Sequence, residues 1–497
     1  KDAGENGWLC PYFDYEDGGS QRPYTIANAA NHIVESANNN IPGYVNLTSG
    51  AAHLIANFGS EELKKKFIPP MAAGRWGGTM ALTEPQAGSS LSDIVTSASP
   101  TTEGHYLIRG QKIFISGGDH QATDNFVHLT LARIEGAPAG TRGISLFVVP
   151  KLRPEEDGTL KHNHVVAVAD FQKLGQRGYS TVHLVYGEHG DCHGYLVGEP
   201  HQGLKYMFQM MNGARIDVGM TAASTATAAY YASLQYAMER PQGRKLTGSG
   251  TKNVSESQSL IIGHPDVRRM LLLQKAVVEG SLSLLVECSK YADLAHVDTT
   301  DVGSNSQLLL ELLTPVAKTY PAEMGRVAIN NGLQVLGGYG YCMDFPLQQY
   351  LRDIRIMSIY EGTTGIQSLD LLGRKVPLEN GKAMSLLTAR ISEVIKAASE
   401  DPQLKPYGEQ LAKKMEEIQK ALGYLMPYAI KGEYETYLAD ATVFMEMASN
   451  IIIGWQWLKI AVAASRQLQM DSRTFEKSFY ESKIHTMKFY FKYELPK

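Results

Sequence analysis

Cysteine is scarce in this 497-residue chain: only Cys10, Cys192, Cys288 and Cys342 occur, with no C-x-x-C pair. That argues against a disulfide framework and against a cysteine zinc site, and it fits a reducing compartment. The chain is therefore expected in a bacterial cytoplasm or, alternatively, a mitochondrial matrix, and no metal is expected. A dominant charge is lacking too. Forty-seven Lys and Arg face 51 Asp and Glu, leaving −4, so no global field draws the chain to nucleic acid or anionic lipid. No apolar run is long enough to span a bilayer: residues 450–464 are interrupted by Gln456 and Lys459 and read as a buried helix. The opening from Lys1 to Trp8 has neither a signal-peptide apolar core nor an Arg-rich transit character, and reads as a chain entered mid-domain. Short internal repeats, low-complexity tracts, a Gly-x-Gly-x-x-Gly turn after a strand, a Walker loop, H-E-x-x-H and G-x-S-x-G are all missing, which removes the common cofactor and nucleophile signatures.

What is present is ample core-forming material, 43% hydrophobic, enough for more than one domain. From 24 to 73 apolar residues recur at helical spacing, and Ser60 before Glu61 and Glu62 reads as a helix cap with acids in the first turn. Between about 79 and 197 the texture changes to short alternating runs, such as those at 106–109, 127–131 and 144–149, separated by Gly, Pro and Asp; this predicts a β domain. Long helical periodicity returns over 204–240, 257–295 and 304–336, broken by a polar excursion at 247–259 that starts at Thr247. Beyond Arg374-Lys375-Val376-Pro377 a further helical extension is predicted.

Three segments place small residues beside hydroxyls or carboxylates: Thr83-Glu84-Pro85-Gln86-Ala87-Gly88-Ser89-Ser90, Gln334-Val335-Leu336-Gly337-Gly338-Tyr339-Gly340, and Tyr360-Glu361-Gly362-Thr363-Thr364-Gly365. Gly337-Gly338 lets a backbone approach a planar or phosphorylated ligand, although a plain helix-to-loop turn reads the same. Glu361 follows an apolar stretch and precedes Gly362, a setting for a carboxylate with raised pKa acting as general base; an ordinary helix-N-terminal Glu is the competing reading. His264-Pro265-Asp266 reads as a helix start with an acid in its first turn, and is assigned to capping.

Together these segments resemble the acyl-CoA dehydrogenases over about residues 7–374. The first is similar to the family's T-E-P-x-A-G-S signature, Gln111-Lys112-Ile113-Phe114-Ile115-Ser116 to its Q/K-x-W-I-T strand, Lys173-Leu174-Gly175-Gln176-Arg177-Gly178 to its K-x-G-x-R-G turn, and Tyr360-Glu361-Gly362-Thr363 to its base-bearing Y-E-G-T. Departures are Ser90 for the usual Asp, Phe114 for Trp, Ser116 for Thr, and Gly365 where Gln often follows the base. The polar insertion and the extension resemble a longer subgroup that includes the methylthiopropionyl-CoA dehydrogenases.

The resemblance implies an α+β fold: an N-terminal helical domain (1–76, lacking the family's first helices), a middle β-barrel or sandwich domain (77–198), a four-helix bundle carrying the base (199–376) and an extra helical domain (377–497). It implies FAD, with Met80, Leu82 and Thr83 at the ring edge, Ser89 near the pyrophosphate or the thioester arm, and Phe114 and Ser116 flanking the ring. Arg240, Gln242, Gln334 and Gly338 are implied to reach the adenine side of a neighbouring subunit's flavin, and Thr363 to cap a phosphate at a helix N-terminus. Plain β-domain core is the alternative for Met80, Leu82 and Phe114. Met211, Asn212 and Arg215 are implied to line the acyl-CoA channel with Tyr360 and Gly362; for Arg215 an ion pair inside the bundle is the alternative. The implied reaction is α,β-dehydrogenation of an acyl-CoA to the trans-2-enoyl-CoA, with Glu361 as base and electrons passing to an electron-transferring flavoprotein, in a homo-oligomer (dimer or tetramer) sharing flavin sites. An acyl-CoA oxidase and a non-catalytic assembly or binding relative remain as alternatives. Peripheral membrane contact through 451–457 competes with a buried helix face, the reading favoured for an apolar run.

Overall fold

The computed structural model describes residues 1–155, 157–246 and 248–497, without the side chains of Gln209 and Met210. Thr247 thus lies outside the described residues. The chain divides into two compact units, Lys1–Ala214 and Arg215–Lys497, with the division inside a long helix.

In the first unit a short helix, α1 (Asp2–Glu5), precedes α2 (Tyr24–Ala37), α3 (Ile41–Phe58) and α4 (Glu61–Ala72). Ser60 caps α4 as its position predicts, its hydroxyl accepting from the Leu63 N–H. Helices α3 and α4 pack on a sheet of β1 (Trp76–Ala81), β2 (Ser97–Pro100), β3 (Tyr106–Ser116), β4 (Asn125–Ile134), β5 (Ile144–Pro150), β8 (Val165–Asp170), β9 (Thr181–Tyr186) and β10 (His193–Leu196); β6 (Leu152–Pro154) and β7 (Leu160–His162) form a separate ribbon. The order is β1-β4-β5-β10-β3-β9-β8, with β2 bridging β3 and β4. β1 runs parallel to β4, while β4–β5, β5–β10, β10–β3, β3–β9 and β9–β8 are antiparallel. Buried along its whole length, β5 has no polar face to show, which is why its sequence reads as a continuous apolar run. At Gly78 the sheet comes so close to α3 and α4 that a Cβ would sit 2.8 Å from Ala51 and from Met71.

The second unit is helical. α5 (Gly203–Glu239) enters it from the first; α6 (Pro265–Val297) and α7 (Asp301–Leu336) pack along one another, followed by α8 (Leu347–Ile354) and α9 (Thr364–Asp370). Helical periodicity begins near 257, but α6 begins at Pro265, because proline is preorganised for the first helical position and drives the residue before it out of the α region. The extension comprises α10 (Leu378–Ser399, broken at Glu379, Asn380 and Gly381, which all have positive φ), α11 (Lys405–Ile430), α12 (Tyr434–Leu438), α13 (Ala441–Leu468) and α14 (Lys477–Tyr493). α13 buries every residue from 451 to 457, so this stretch is a helix core and not a surface for a membrane. Among the described residues no helix is long and apolar enough to cross a membrane, and no group of three or more His, Cys, Asp and Glu is arranged to hold a metal ion.

Candidate active site

In the second unit, a 3₁₀ turn at Arg355–Ser358 leads into two consecutive left-handed residues, Glu361 (φ +53°) and Gly362 (φ +87°), before α9 begins. The left-handed conformation is costly for a residue with a Cβ, so Glu361 must be held there by its surroundings. Two side chains grip the turn: Gln367 Nε2 donates to the Glu361 carbonyl at 2.9 Å, and Lys318 Nζ donates to the Gly362 carbonyl at 2.8 Å. Glycine suits position 362 because its φ of +87° is one that side chains rarely adopt, and a Cβ there would also lie 2.6 Å from Gln367 Nε2. Thr363 is the N-cap of α9; its hydroxyl accepts from the Ile366 N–H at 3.2 Å, so the oxygen implied to meet a phosphate is engaged by its own helix. Thr364 Oγ1 donates to Glu323 at 2.6 Å and ties the start of α9 to α7.

The Glu361 residue is half-buried in a densely packed setting. Loss of hydration pushes its carboxyl above the ordinary value, an effect opposed by the nearby positive charges of Arg215 and Lys318. Burial lowers the Lys318 ammonium to about 8, against the upward pull of Glu361 and Glu323. Arg215 is itself buried and bonded to Asp370 at 3.1 Å, and Asp370 also accepts from Arg374 at 2.8 Å. The ion pair within the bundle, one of the two readings for Arg215, is what the geometry contains. Tyr360, half-buried, packs against the bundle core.

At the far end of the same bundle, Arg240 lies with its guanidinium 5.4 Å over the Tyr339 ring, and so beside Gly338 in the chain. Gln334 lies in the last turn of α7, its carbonyl accepting from the N–H of Gly337, whose φ of +62° turns the chain; Gln242 is held through its backbone by Ser259 and by His264 Nε2 at 2.7 Å. Arg240, Gln242, Gln334 and Gly338 are all exposed. A Cβ at Gly337 or Gly338 would meet only open space. An open glycine pair beside a guanidinium and an amide suits the phosphate end of a dinucleotide.

In the first unit, β1 ends at Ala81 and the chain continues through Leu82 and Thr83, whose carbonyl accepts from Ile113 N–H at 2.9 Å. Met80 and Leu82 pack on the core beneath α3 and α4. Phe114 does not: it sits in a break of the β3–β9 register between Lys112 and Ile115, takes φ +59°, and is 58% exposed with its ring 4.7 Å from that of Phe171. The core reading is therefore excluded for Phe114, while an exposed aromatic beside Thr83 and the half-buried Ser116 fits a flat ring system. Ser89 is exposed on the loop beyond. On α5, Met211 and Asn212 are half-buried, and Met211 packs on the first unit's core.

A second buried lysine organises this half. Lys112 Nζ donates to the Leu82 carbonyl at 2.9 Å and to Glu84 Oε1 at 2.8 Å, and Glu84 accepts from the Val95 and Thr96 N–H groups at 2.7 and 3.1 Å. Burial would raise the Glu84 carboxyl, but Lys112 and the N–H donors outweigh it and hold it below the ordinary range. Lys112, Lys318, Gln367 and Asp370 escape sequence reading. The one signal for Lys318 is a solitary cation between Pro315 and Pro321 in an otherwise apolar stretch of helix.

Compared with known proteins, the sequence matches family models described as acyl-CoA dehydrogenase N-terminal domain (residues 1–75), middle domain (79–188) and C-terminal domain (201–376), and as acetyl-CoA dehydrogenase C-terminal like (387–497). It is 38% identical to the 3-methylmercaptopropionyl-CoA dehydrogenase of Ruegeria pomeroyi, across 97% of this chain and 80% of that one. Its fold is similar to that of Caenorhabditis elegans ACDH-11, solved in complex with C11-CoA (TM-score 0.80, 22% identity, 98% of this chain and 77% of that one). It is also similar to a Bacillus anthracis acyl-CoA dehydrogenase complexed with FAD (TM-score 0.77, 21% identity, 99% and 79%).

Proposed function

The chain belongs to the acyl-CoA dehydrogenase family, and on that premise we propose that it oxidises an acyl-CoA thioester to the trans-2-enoyl-CoA with Glu361 as the base. The observation that carries this reading is the Glu361 turn: a carboxyl held in a left-handed conformation, its acidity lowered by burial and moderated by two cations. A carboxylate of this kind takes up a proton more readily than an ordinary one, which is what removal of hydrogen from the carbon next to a thioester requires. Glu361 takes the α-proton, the Cα–H and Cβ–H bonds break, and a Cα=Cβ double bond forms. The Glu361 N–H would donate to the thioester carbonyl as negative charge gathers on its oxygen.

FAD, when bound, supplies the hydride acceptor for the β-hydrogen. Leu82, Thr83, Phe114 and Ser116 would hold its ring, with Met80 supporting that strand from the core side and Ser89 on the adjoining loop. Arg240, Gln242, Gln334 and Gly338, exposed on the second unit, support a flavin whose adenine end is shared with a partner subunit of a homo-oligomer. Met211, Asn212, Arg215, Tyr360 and Gly362 would line the acyl-CoA channel, Arg215 acting through its pair with Asp370. Sections 1–76, 77–198, 199–376 and 377–497 would be the functional domains, and an electron-transferring flavoprotein the electron acceptor.

The test is the visible spectrum of the purified protein under argon before and after adding butyryl-, methylthiopropionyl-, octanoyl- and palmitoyl-CoA, beside a Glu361→Gln variant. Bleaching of a flavin band by one thioester, lost in the variant, is expected and names the acyl class. A yellow protein that no thioester bleaches, or a colourless one that cannot be reconstituted with FAD, would overturn the reading in favour of a non-catalytic relative.

A further inference from the structure

A buried lysine is an expensive residue, since an ammonium removed from water loses far more hydration than one neutral hydrogen bond returns. Lys318 is 0% exposed, and the bond that holds it goes to the neutral carbonyl of Gly362; it forms no ion pair among the described residues. Its place on α7 is unusual as well. Pro315 and Pro321 lie on either side, and Pro321, having no N–H, leaves the Ala317 carbonyl without its helical donor. Against that carbonyl comes α5 at Gly219, where a Cβ would lie only 2.1 Å from the oxygen. The backbone next to Lys318 is thus fixed by a close helix contact, and its ammonium is delivered to the turn in which Glu361 and Gly362 are both left-handed.

Charged groups face this spot from several elements: Glu361 from the turn, Glu323 from α7 itself and Arg215 from α5. Arg215 acts more strongly on Glu361, but it does so as half of a buried pair with Asp370, which also holds Arg374. The partner carboxylate cancels part of its field. Lys318 forms no ion pair among the described residues; Glu361 acts on it most strongly, and Glu323, itself paired with Arg326, acts less.

We propose that Lys318 is a positioning residue for the base: its ammonium pins the Glu361–Gly362 turn through the Gly362 carbonyl and, not being tied into an ion pair among the described residues, favours the anionic, proton-accepting form of the Glu361 carboxyl. This rests on Glu361 being the base. Lysine is needed at 318 for its charge and not only for a hydrogen bond, and that distinguishes the role from a structural one.

The test compares the flavin-bearing parent with Lys318→Gln, which keeps a donor and loses the charge, and Lys318→Met, which loses both. The rate of flavin bleaching by the preferred acyl-CoA is followed against pH. Removing a cation makes Glu361 harder to ionise, so the acid limb of the profile should move to higher pH in both variants. A displacement of about one pH unit corresponds to roughly tenfold slower bleaching on the acid side. Lys318→Gln should keep the high-pH plateau, and Lys318→Met should lower it because the turn is no longer pinned. An acid limb at the parent's pH in the variants overturns the proposal, and so does failure of both to yield a flavoprotein, which would make the lysine purely structural. If Lys318→Met alone fails to fold, the limb of Lys318→Gln decides. Glu361→Gln is measured alongside. Undiminished bleaching there removes the base assignment itself, whereas lost bleaching there with unmoved limbs in the Lys318 variants removes only the role given to Lys318.

Discussion

A carboxyl proposed to accept a proton from carbon is poorly suited to the folded state that carries it. Burial raises the Glu361 carboxyl above its unfolded value of 4.5, so folding favours its protonated form. The stability that goes with protonation is complete below that unfolded value and is lost as pH rises through the higher folded value. Glu361→Gln, which is always neutral, should therefore melt at a higher temperature than the parent at pH 8, with the difference closing toward pH 4.5; calorimetry across that range checks it. Equal melting temperatures at both ends would show that the site imposes no such cost. Glu361 could be singled out because Y-E-G-T is a contiguous signal. Lys318 and Gln367 were not, since what identifies them is a hydrogen bond to a backbone carbonyl, and Lys318 is 44 residues away from the carbonyl it holds.

Among the elements, β3 shows how one buried pair can set a loop. Lys112 reaches from the strand to Leu82 and Glu84, and Glu84 in turn gathers the N–H groups of Val95 and Thr96. Lys112→Met would leave the Glu84 carboxylate buried and uncompensated, a loss of about 3–5 kcal/mol. Adding Glu84→Gln should recover much of it while flavin retention stays impaired. Urea midpoints of the two variants, with their flavin content after gel filtration, provide the measurement; a single variant as stable as the parent would show that the pair does not organise the loop. The strand itself was readable from its alternation, and so was the helical texture on either side of the sheet. The break that turns Phe114 outward was not, because φ at 114 depends on where β9 stops matching β3, a long-range fact. The start of α6 was readable for the opposite reason: apolar spacing continues through 257–264, but His264-Pro265-Asp266 marks locally where the helix begins.

Within the second unit, the extension is bound into the bundle by specific polar contacts as well as by area. Trp457 Nε1 donates to the Ala276 carbonyl at 2.9 Å, Ser283 to Gln456 at 2.7 Å, Lys483 pairs with Glu279 at 2.9 Å and Lys459 with Glu287. Gly280 admits the Trp457 indole, which would be 2.8 Å from a Cβ there. Trp457→Ala should cost about 3–5 kcal/mol, the range for deleting a large buried aromatic. A fall in the urea midpoint of the second unit's helical signal is expected, and an unchanged midpoint would mean that the extension only leans on the bundle. Every one of these contacts joins α6 to sequence that a ribosome makes much later. Ala276 waits for Trp457, 181 residues further on. At bacterial or eukaryotic rates of synthesis that is roughly ten to forty seconds during which an apolar helix face has no cover. The nascent chain is therefore expected to engage chaperones through that interval, and synonymous codon changes that slow translation between α6 and α13 should raise the aggregated fraction without altering a single residue.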